Sequence, residues 1–135
     1  MSTRRRGREC VLKALYAYEQ GEQSREQIIA AILEDGSLEG NILSFAHNLF
    51  KTVIENIQKI DDYIRSLATN WKLNRIAVVD KNILRIAICE IQYMPDIPMK
   101  VSINEAIEMA KKYSTYESAS FVNGIMDRVL HDHEE

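Results

Sequence analysis

The sequence predicts an all-α protein, because its apolar residues recur at helical spacing and its helix-breaking residues fall between those stretches. The 135 residues include only five glycines and two prolines. Apolar residues return every three or four positions, and no sustained alternation of apolar and polar residues indicates a strand. We therefore expect an all-α chain with about seven helices.

Clear local signals delimit the predicted helices in the first part of the chain. The first helix runs from about Arg5 to Gln20 and ends at Gly21. Ser24-Arg-Glu-Gln27 has the form of a capping box and opens a second helix. Asp35-Gly-Ser37 then predicts a turn, because aspartate, glycine and serine all favour turns.

The second part of the chain predicts longer helices around a buried centre. Helical spacing from Leu38 to about Asn70 is long for one globular helix, so we expect a break near residues 56–59. The segment from Lys81 to Ile91 is apolar on nearly every side, which is typical of a central helix. Ser102-Ile-Asn-Glu105 is predicted as a capping box that starts the next helix. A turn over residues 114–116 precedes the last helix.

Length and composition indicate one ordinary globular domain over residues 1–135. The chain is 46% hydrophobic and 27% charged, which excludes an extensively disordered protein. We expect a flexible arginine-rich start over residues 1–8 and a frayed tail over residues 131–135. Cys10 and Cys89 lie far apart and are predicted to be buried thiols in a reducing compartment. No stretch reaches the ~18 apolar residues of a membrane span, so we expect a cytoplasmic protein without membrane association.

Basic residues concentrate at the N-terminus in an arginine cluster, which consists of Arg4, Arg5, Arg6 and Arg8. The formal net charge is -3, so the rest of the chain carries -7 once these four charges are removed. A cationic pole on an acidic body is typical of a protein that binds a polyanion. Guanidinium groups suit this role because they stay charged and bind phosphate oxygens in pairs. The alternative is a solvated, disordered start.

Lys13 and Tyr16 extend this basic start along the first predicted helix. Single-stranded nucleic acid is commonly held by phosphate contacts together with bases stacked on aromatic rings. The alternative for Tyr16 is ordinary packing in the core. The first helix is therefore a candidate RNA-binding element.

No set of residues in the sequence supports catalysis. The three histidines, His47, His131 and His133, are predicted to be surface or tail residues. The sequence contains no glycine-rich phosphate loop, no His-Glu-x-x-His motif and no nucleophile elbow. We therefore expect a non-enzymatic protein that needs no cofactor or metal.

Five blocks of the sequence resemble the NusB family and follow one another in the family's order. The segment from Ser24 to Phe50 matches by helix pattern alone. The blocks are Arg4-Arg-Arg-Gly-Arg-Glu-Cys-Val-Leu-Lys-Ala-Leu-Tyr16, Trp71-Lys-Leu-Asn-Arg-Ile76, Asp80-Lys-Asn-Ile-Leu-Arg-Ile-Ala-Ile-Cys-Glu90, Lys100-Val-Ser-Ile-Asn-Glu-Ala-Ile-Glu-Met-Ala-Lys-Lys-Tyr113 and Phe121-Val-Asn-Gly-Ile-Met-Asp127.

The resemblance implies two packed small helical bundles and a role in transcription antitermination. Members of the family pair with the small-subunit ribosomal protein that acts as NusE. The pair binds the single-stranded boxA element of nascent RNA, notably from ribosomal RNA operons. It then joins the antitermination complex that helps RNA polymerase resist termination.

The resemblance also implies roles for individual residues. The arginine cluster would contact RNA, and Tyr16 and Phe121 would lie along the RNA-binding face. Glu117 would temper RNA affinity from a position near that face, and Asp80 would meet the ribosomal protein. The structural alternatives are helix caps for Asp80 and Glu117 and core packing for Phe121. If the resemblance holds, the arginine cluster lies beside Glu117 and Phe121.

Three alternatives compete with an RNA-binding adaptor. The first is the NusB-like domain that precedes the catalytic domain of some RNA cytosine methyltransferases. The second is a helical module that binds only proteins and carries its arginines as a solvated tail. The third is an enzyme of unknown class, which lacks any convergent set of acid, base or metal-binding residues. The sequence leaves the oligomeric state open, and a homodimer would hide the arginine-rich face from RNA. We expect weak RNA binding by the protein alone and tighter binding with its partner.

Overall fold

The computed structural model describes residues 3–68 and 75–133, and these contain seven α-helices and no strand. The predicted all-α class and the number of helices are therefore confirmed. None of the described helices is long and apolar enough to cross a membrane. The helices are α1 (Thr3–Gln20), α2 (Arg25–Ile28), α3 (Gly40–Glu55), α4 (Ile57–Leu67), α5 (Val78–Tyr93), α6 (Met99–Tyr113) and α7 (Tyr116–His133).

The chain divides into two compact units where the sequence predicts a break. Met1–Glu55 holds α1 to α3, and Asn56–Glu135 holds α4 to α7. Asn56 is a turn residue between α3 and α4, so the break predicted near residues 56–59 is confirmed. Trp71 and Leu73, which belong to the second block that resembles the NusB family, lie outside the described residues.

The N-terminal unit is built by packing α1 on α3 and on the segment that follows α2. The predicted capping box of α2 is present: Ser24 Oγ accepts a hydrogen bond from the Gln27 amide at 3.1 Å, and Gln27 Oε1 accepts one from the Ser24 amide at 2.8 Å. After one turn, α2 widens into a π-helical turn, Ile29–Leu33. The core of the unit includes Val11, Leu12, Leu15, Ile28, Leu33, Leu49, Phe50 and Val53.

Helix α5 is the centre of the C-terminal unit, because α4, α6 and α7 all pack against it. Its buried residues cover nearly its whole circumference, as the sequence predicts. Three of them are charged: Asp80, Arg85 and Glu90. Arg85 Nε and Nη2 donate to the two carboxylate oxygens of Asp61, each at 2.8 Å. Arg85 Nη1 also donates to Asn82 Oδ1 at 2.8 Å. This forked pairing on a carboxylate connects α5 to α4 inside the core.

Helix α6 starts earlier than the sequence predicts, and the capping box predicted at Ser102-Ile-Asn-Glu105 is wrong. Pro98 is the N-cap and Met99 the first helical residue. Proline suits a helix start because it has no amide hydrogen to satisfy and its φ is already close to the helical value. Ser102 therefore lies inside the helix, where its hydroxyl donates to Glu90 Oε1 on α5 at 2.7 Å. A buried glutamate obtains a donor from this contact.

The last helix, α7, is bonded to α4 near its C-terminal end. Tyr63 donates a hydrogen bond to Asp132 Oδ2 at 2.7 Å, and Arg128 donates to the carbonyl oxygen of Leu67. Partial burial and the nearby Asp132 carboxylate raise the pKa of Tyr63. Residues 131–133 are helical, and the remaining residues of the predicted frayed tail lie outside the described residues.

The two cysteines differ in exposure. Cys89 on α5 is buried, and burial raises the pKa of its thiol to about 12. Cys10 on α1 is only half-buried, so it fits less well with the prediction that both thiols are enclosed.

Replacing Asp61 by asparagine is expected to lower the free energy of unfolding by roughly 3 kcal/mol, because the enclosed Arg85 guanidinium loses its carboxylate. Urea denaturation measures the change. Asp62→Asn is the matched control, since Asp62 pairs with Arg65 at the surface, where an ion pair contributes about 1 kcal/mol or less. Equal losses in the two variants would contradict a structural role for the buried pair.

Candidate nucleic-acid interface

The arginine cluster lies in helical backbone. Helix α1 begins at Thr3, two residues before the start predicted at Arg5. Arg4 to Arg8 therefore occupy its first turns, within the segment that the sequence predicts to be flexible. Because the arginines lie on different sides of α1, their side chains contact different parts of the N-terminal unit.

Two members of the cluster pack on one aromatic ring. The Cζ atom of Arg4 lies 4.8 Å from the centroid of the Phe45 ring, and that of Arg8 lies 5.2 Å from it. Phe45 belongs to α3 and is buried. A guanidinium within about 6 Å of a ring centroid is attracted by the negative face of the ring. Arg8 is only 1% exposed, so its side chain is enclosed, whereas Arg4 is half-buried.

Gly7 allows this close approach of α1 and α3. A Cβ atom at Gly7 would lie 3.2 Å from Phe45 Cδ2 and 3.4 Å from Ile42 Cγ2. The first distance is shorter than an ordinary van der Waals contact between carbon atoms. A side chain at this position would therefore press on the ring that carries Arg4 and Arg8.

Arg6 and Lys13 lie on another side of α1, against the predicted turn at residues 35–37. Arg6 Nη2 donates to the carbonyl oxygen of Ser37 at 2.9 Å. Asp35 Oδ1 accepts from the Ser37 hydroxyl at 2.7 Å and from its amide at 2.9 Å, and these bonds lower the pKa of Asp35. A cavity of roughly 320 Å³ opens here, and Arg6, Lys13 and Cys10 are among its lining residues.

Tyr16 is 48% exposed, so the alternative that it packs in the core is wrong. The nearby Tyr18 packs against Phe50 in a T-shaped arrangement, with ring centroids 6.5 Å apart and ring planes at 87°. An exposed aromatic ring on α1 is thus available for stacking.

The C-terminal unit brings three predicted site residues together. Asp80, Glu117 and Phe121 line one cavity of roughly 270 Å³, hereafter the Asp80 pocket. It is formed where α5 and α7 begin, and its other lining residues are Arg75, Ile76, Ala77, Thr115 and Ser118. Sequence reasoning missed these five, although Thr115 precedes α7 in the manner of a capping residue.

Neither acidic residue of this pocket caps a helix. The N-cap of α5 is Ala77, and Asp80 lies in the first turn without a capping hydrogen bond. The helix α7 is capped by Thr115, whose Oγ1 accepts from the Ser118 amide at 3.1 Å. The capping alternatives for Asp80 and Glu117 are therefore wrong. Phe121 is half-buried, and the inward side of α7 is formed by Val122, Ile125, Met126 and Val129.

The candidate residues thus fall into two groups, one in each unit. The arginine cluster, Lys13 and Tyr16 lie in the N-terminal unit, and Asp80, Glu117 and Phe121 lie in the C-terminal unit. The side-by-side placement of the two groups stays a prediction. Among the described residues, no group of histidine, cysteine and acidic side chains is arranged to hold a metal ion.

A family model and an individual relative both match this chain, and both belong to the NusB family. A model of the NusB family matches residues 5–131. The transcription antitermination protein NusB of Chloroherpeton thalassium is 46% identical over 131 residues, which cover 96% of this chain and 62% of that protein. The chain therefore spans less than two thirds of that relative's length.

Two solved structures have the same fold. NusB of T. maritima is 42% identical, with a TM-score of 0.90 and coverage of 98% of this chain and 94% of that one. A chain in a complex of the antitermination factors NusB and NusE with dsRNA is 20% identical, with a TM-score of 0.86, and the match covers 98% of this chain and 100% of that one. At 20% identity the second likeness concerns the fold alone.

Replacing Arg8 by alanine is expected to lower the free energy of unfolding by roughly 2 kcal/mol, because an enclosed guanidinium loses both its contact with Phe45 and its packing. Chemical denaturation measures the loss. Lys13→Ala is the control on the same helix, and since Lys13 is exposed its effect should stay within about 0.5 kcal/mol. A change as small for Arg8 as for Lys13 would contradict the packing described for Arg8.

Proposed function

Because the chain belongs to the NusB family, we propose that it is a transcription antitermination factor that binds single-stranded boxA-type RNA. It acts with the small-subunit ribosomal protein NusE and joins the RNA polymerase antitermination complex, notably on ribosomal RNA operons. Membership of the NusB family supports both partners for this chain, and the chain in the complex of NusB and NusE with dsRNA shares its fold. In this role the protein is a non-enzymatic adaptor in the cytoplasm.

The observation that carries the RNA-binding proposal is the ordered arrangement of the arginine cluster. Phe45 holds Arg4 and Arg8 against α3, while Ser37 holds Arg6 on another side of α1. Cations fixed on a helix lose little conformational entropy when they bind, so more of the phosphate attraction contributes to affinity. A disordered tail would first have to be ordered.

The exposure of each residue on α1 indicates whether it contacts RNA or positions its neighbours. Arg4, Arg5 and Arg6 contact RNA phosphates, and Tyr16 stacks on a base. Lys13, which is exposed on the same helix, adds a further phosphate contact. Arg8 is enclosed and therefore acts as a positioning residue that fixes Phe45 and the start of α1.

The second group supplies the rest of the surface. Phe121 offers a half-buried ring for base stacking, and the exposed Glu117 lies four positions before it, on the same side of α7. A carboxylate at this position repels phosphate and so limits RNA affinity. Asp80 lines the same pocket and belongs to the surface that meets the ribosomal protein.

Titration of labelled boxA-type RNA across a series of salt concentrations tests the proposal. The wild-type protein should bind weakly alone and more tightly with NusE, and affinity should fall as salt rises because counterions are released. Replacing Arg4, Arg5 and Arg6 together by alanine should reduce the slope of log K against log salt by about 2, since each phosphate contact contributes ~0.7 for a single strand.

The control replaces Lys51, Lys59 and Lys100, three exposed lysines that are not part of the arginine cluster, by alanine. This variant loses the same formal charge, so it separates local contacts from the effect of net charge. An equal reduction of the slope in both variants, or wild-type binding that does not respond to salt, would reject the RNA-binding role. Binding to NusE alone would then favour a module that binds only proteins.

A further inference from the structure

The cavity beside α1 in the N-terminal unit, hereafter the α1 cavity, has room for a small organic molecule. Its volume of roughly 320 Å³ lies at the lower end of the ~300–1,000 Å³ that is typical of small-molecule sites. One wall is a single side of α1, because its residues recur every three or four positions. These residues are Arg6, Glu9, Cys10 and Lys13. The other wall is formed by Ala31, Ile32, Asp35, Ser37 and Leu38.

Charged groups of both signs surround the α1 cavity. Arg6 and Lys13 contribute two cations, while Glu9 and Asp35 contribute two carboxylates. The Arg6 guanidinium is held by its hydrogen bond to the carbonyl oxygen of Ser37, and the Asp35 carboxylate by the Ser37 amide and hydroxyl. The formal charges of the lining therefore cancel. Such a lining suits a molecule that carries both an ammonium group and carboxylates better than one that carries only negative charge.

Cys10 adds a nucleophilic sulfur to this lining. Its thiol is half-buried, and Sγ lies 4.0 Å from Ser37 Oγ. The other thiol of the chain, Cys89, is buried in α5, where burial raises its pKa to about 12 and so disfavours the reactive thiolate. Of the two thiols, Cys10 thus combines access from solvent with a cavity that can hold a substituent.

We propose that Cys10 is a site of reversible S-thiolation by small disulfides whose halves carry both amino and carboxylate groups. The Cys10 thiolate attacks one sulfur of the disulfide, so that a new S–S bond forms and the original S–S bond breaks. The departing thiolate takes up the proton that Cys10 lost. Cys10 is thereby oxidised and the departing sulfur is reduced, and a second small thiol reverses the exchange.

The charges of the α1 cavity explain why disulfides of this class are preferred. Once such a group is attached to Cys10, its carboxylate can pair with Arg6 or Lys13 and its ammonium group with Asp35. A neutral disulfide can reach the same thiol but gains neither contact. The cavity therefore selects the reagent by charge, in addition to exposing the sulfur.

The modification also affects RNA binding, and this part of the inference rests on the proposed function. Arg6 and Lys13 are two of the cations that we assign to RNA phosphates, so an attached carboxylate competes with RNA for them. In a reducing compartment Cys10 stays free, and the adduct accumulates when small disulfides become abundant. RNA binding would therefore weaken under oxidising conditions and recover when a thiol removes the adduct.

The first test measures how fast the folded protein forms a mixed disulfide, by mass spectrometry of the intact chain and of its peptides. Cystine is compared with the neutral disulfide of 2-mercaptoethanol, and each rate is divided by the rate for the same chain unfolded in urea. We expect the folded protein to prefer cystine by about fivefold or more, with the adduct on Cys10. Equal normalised rates, or an adduct on Cys89 alone, would overturn the proposal.

A pair of lysine variants tests the role of the cavity's charge. Lys13→Gln removes one cation from the lining, and we expect it to lower the preference for cystine about threefold. Lys51→Gln is the matched control, because Lys51 is an exposed lysine of the same unit that does not line the cavity. The same decrease in both variants would contradict selection by the cavity.

RNA titration then tests the effect on binding, using the wild type and Cys10→Ser, each with and without cystine treatment. The adduct should weaken the wild type about tenfold at low salt and lower the salt slope by about 1.4, since two phosphate contacts contribute ~0.7 each. Dithiothreitol should restore binding, and Cys10→Ser should not respond to cystine. Unchanged RNA affinity of the adduct would overturn the regulatory part. If the reduced wild type binds no RNA, the proposed function fails, whereas the rate measurement still decides the thiol site.

Discussion

The contact of Phe45 with two arginines is the interaction on which the proposed RNA surface depends. Without it, Arg4 and Arg8 would lose their contact with α3, and the mutual repulsion of neighbouring cations would not be offset there. In the structure, α3 presents a buried ring, and Arg4 and Arg8 lie within 4.8 and 5.2 Å of its centroid. Gly7 lets the two helices come close enough for this contact. The sequence determines the charge of the cluster, but the packing of α1 on α3 determines where Arg4 and Arg8 lie.

Local features of the sequence were predicted well because their causes are local. Helical periodicity, the Ser24 capping box and the break at Asn56 depend on residues a few positions apart. The box predicted at Ser102 failed because a distant residue, Glu90, uses the serine hydroxyl and because Pro98 starts the helix earlier. The pairing of Arg8 with Phe45 was missed for the same reason, since only the packing of α1 on α3 brings them together.

The buried charged residues of the C-terminal unit differ in whether they have hydrogen-bond partners, and the difference separates structural from candidate binding residues. Arg85 and Glu90 lie in the core with partners that match their hydrogen-bonding groups. Asp80 is equally enclosed, but its Oδ1 atom has no donor within the part of the chain that the structure describes. This exception adds nothing to stability, which agrees with the proposed place of Asp80 on the partner-binding surface. The resemblance selected Asp80, yet only the pocket shows what chemistry it offers.

The RNA affinity of Phe45→Leu tests the central claim most directly. Leucine retains an apolar side chain on α3 but removes the ring, while every arginine of the cluster stays in place. The account predicts roughly tenfold weaker RNA binding, a loss of about 1.4 kcal/mol, together with faster amide hydrogen exchange over residues 4–8. Wild-type RNA affinity in a folded Phe45→Leu protein would contradict it, because charge alone would then be sufficient.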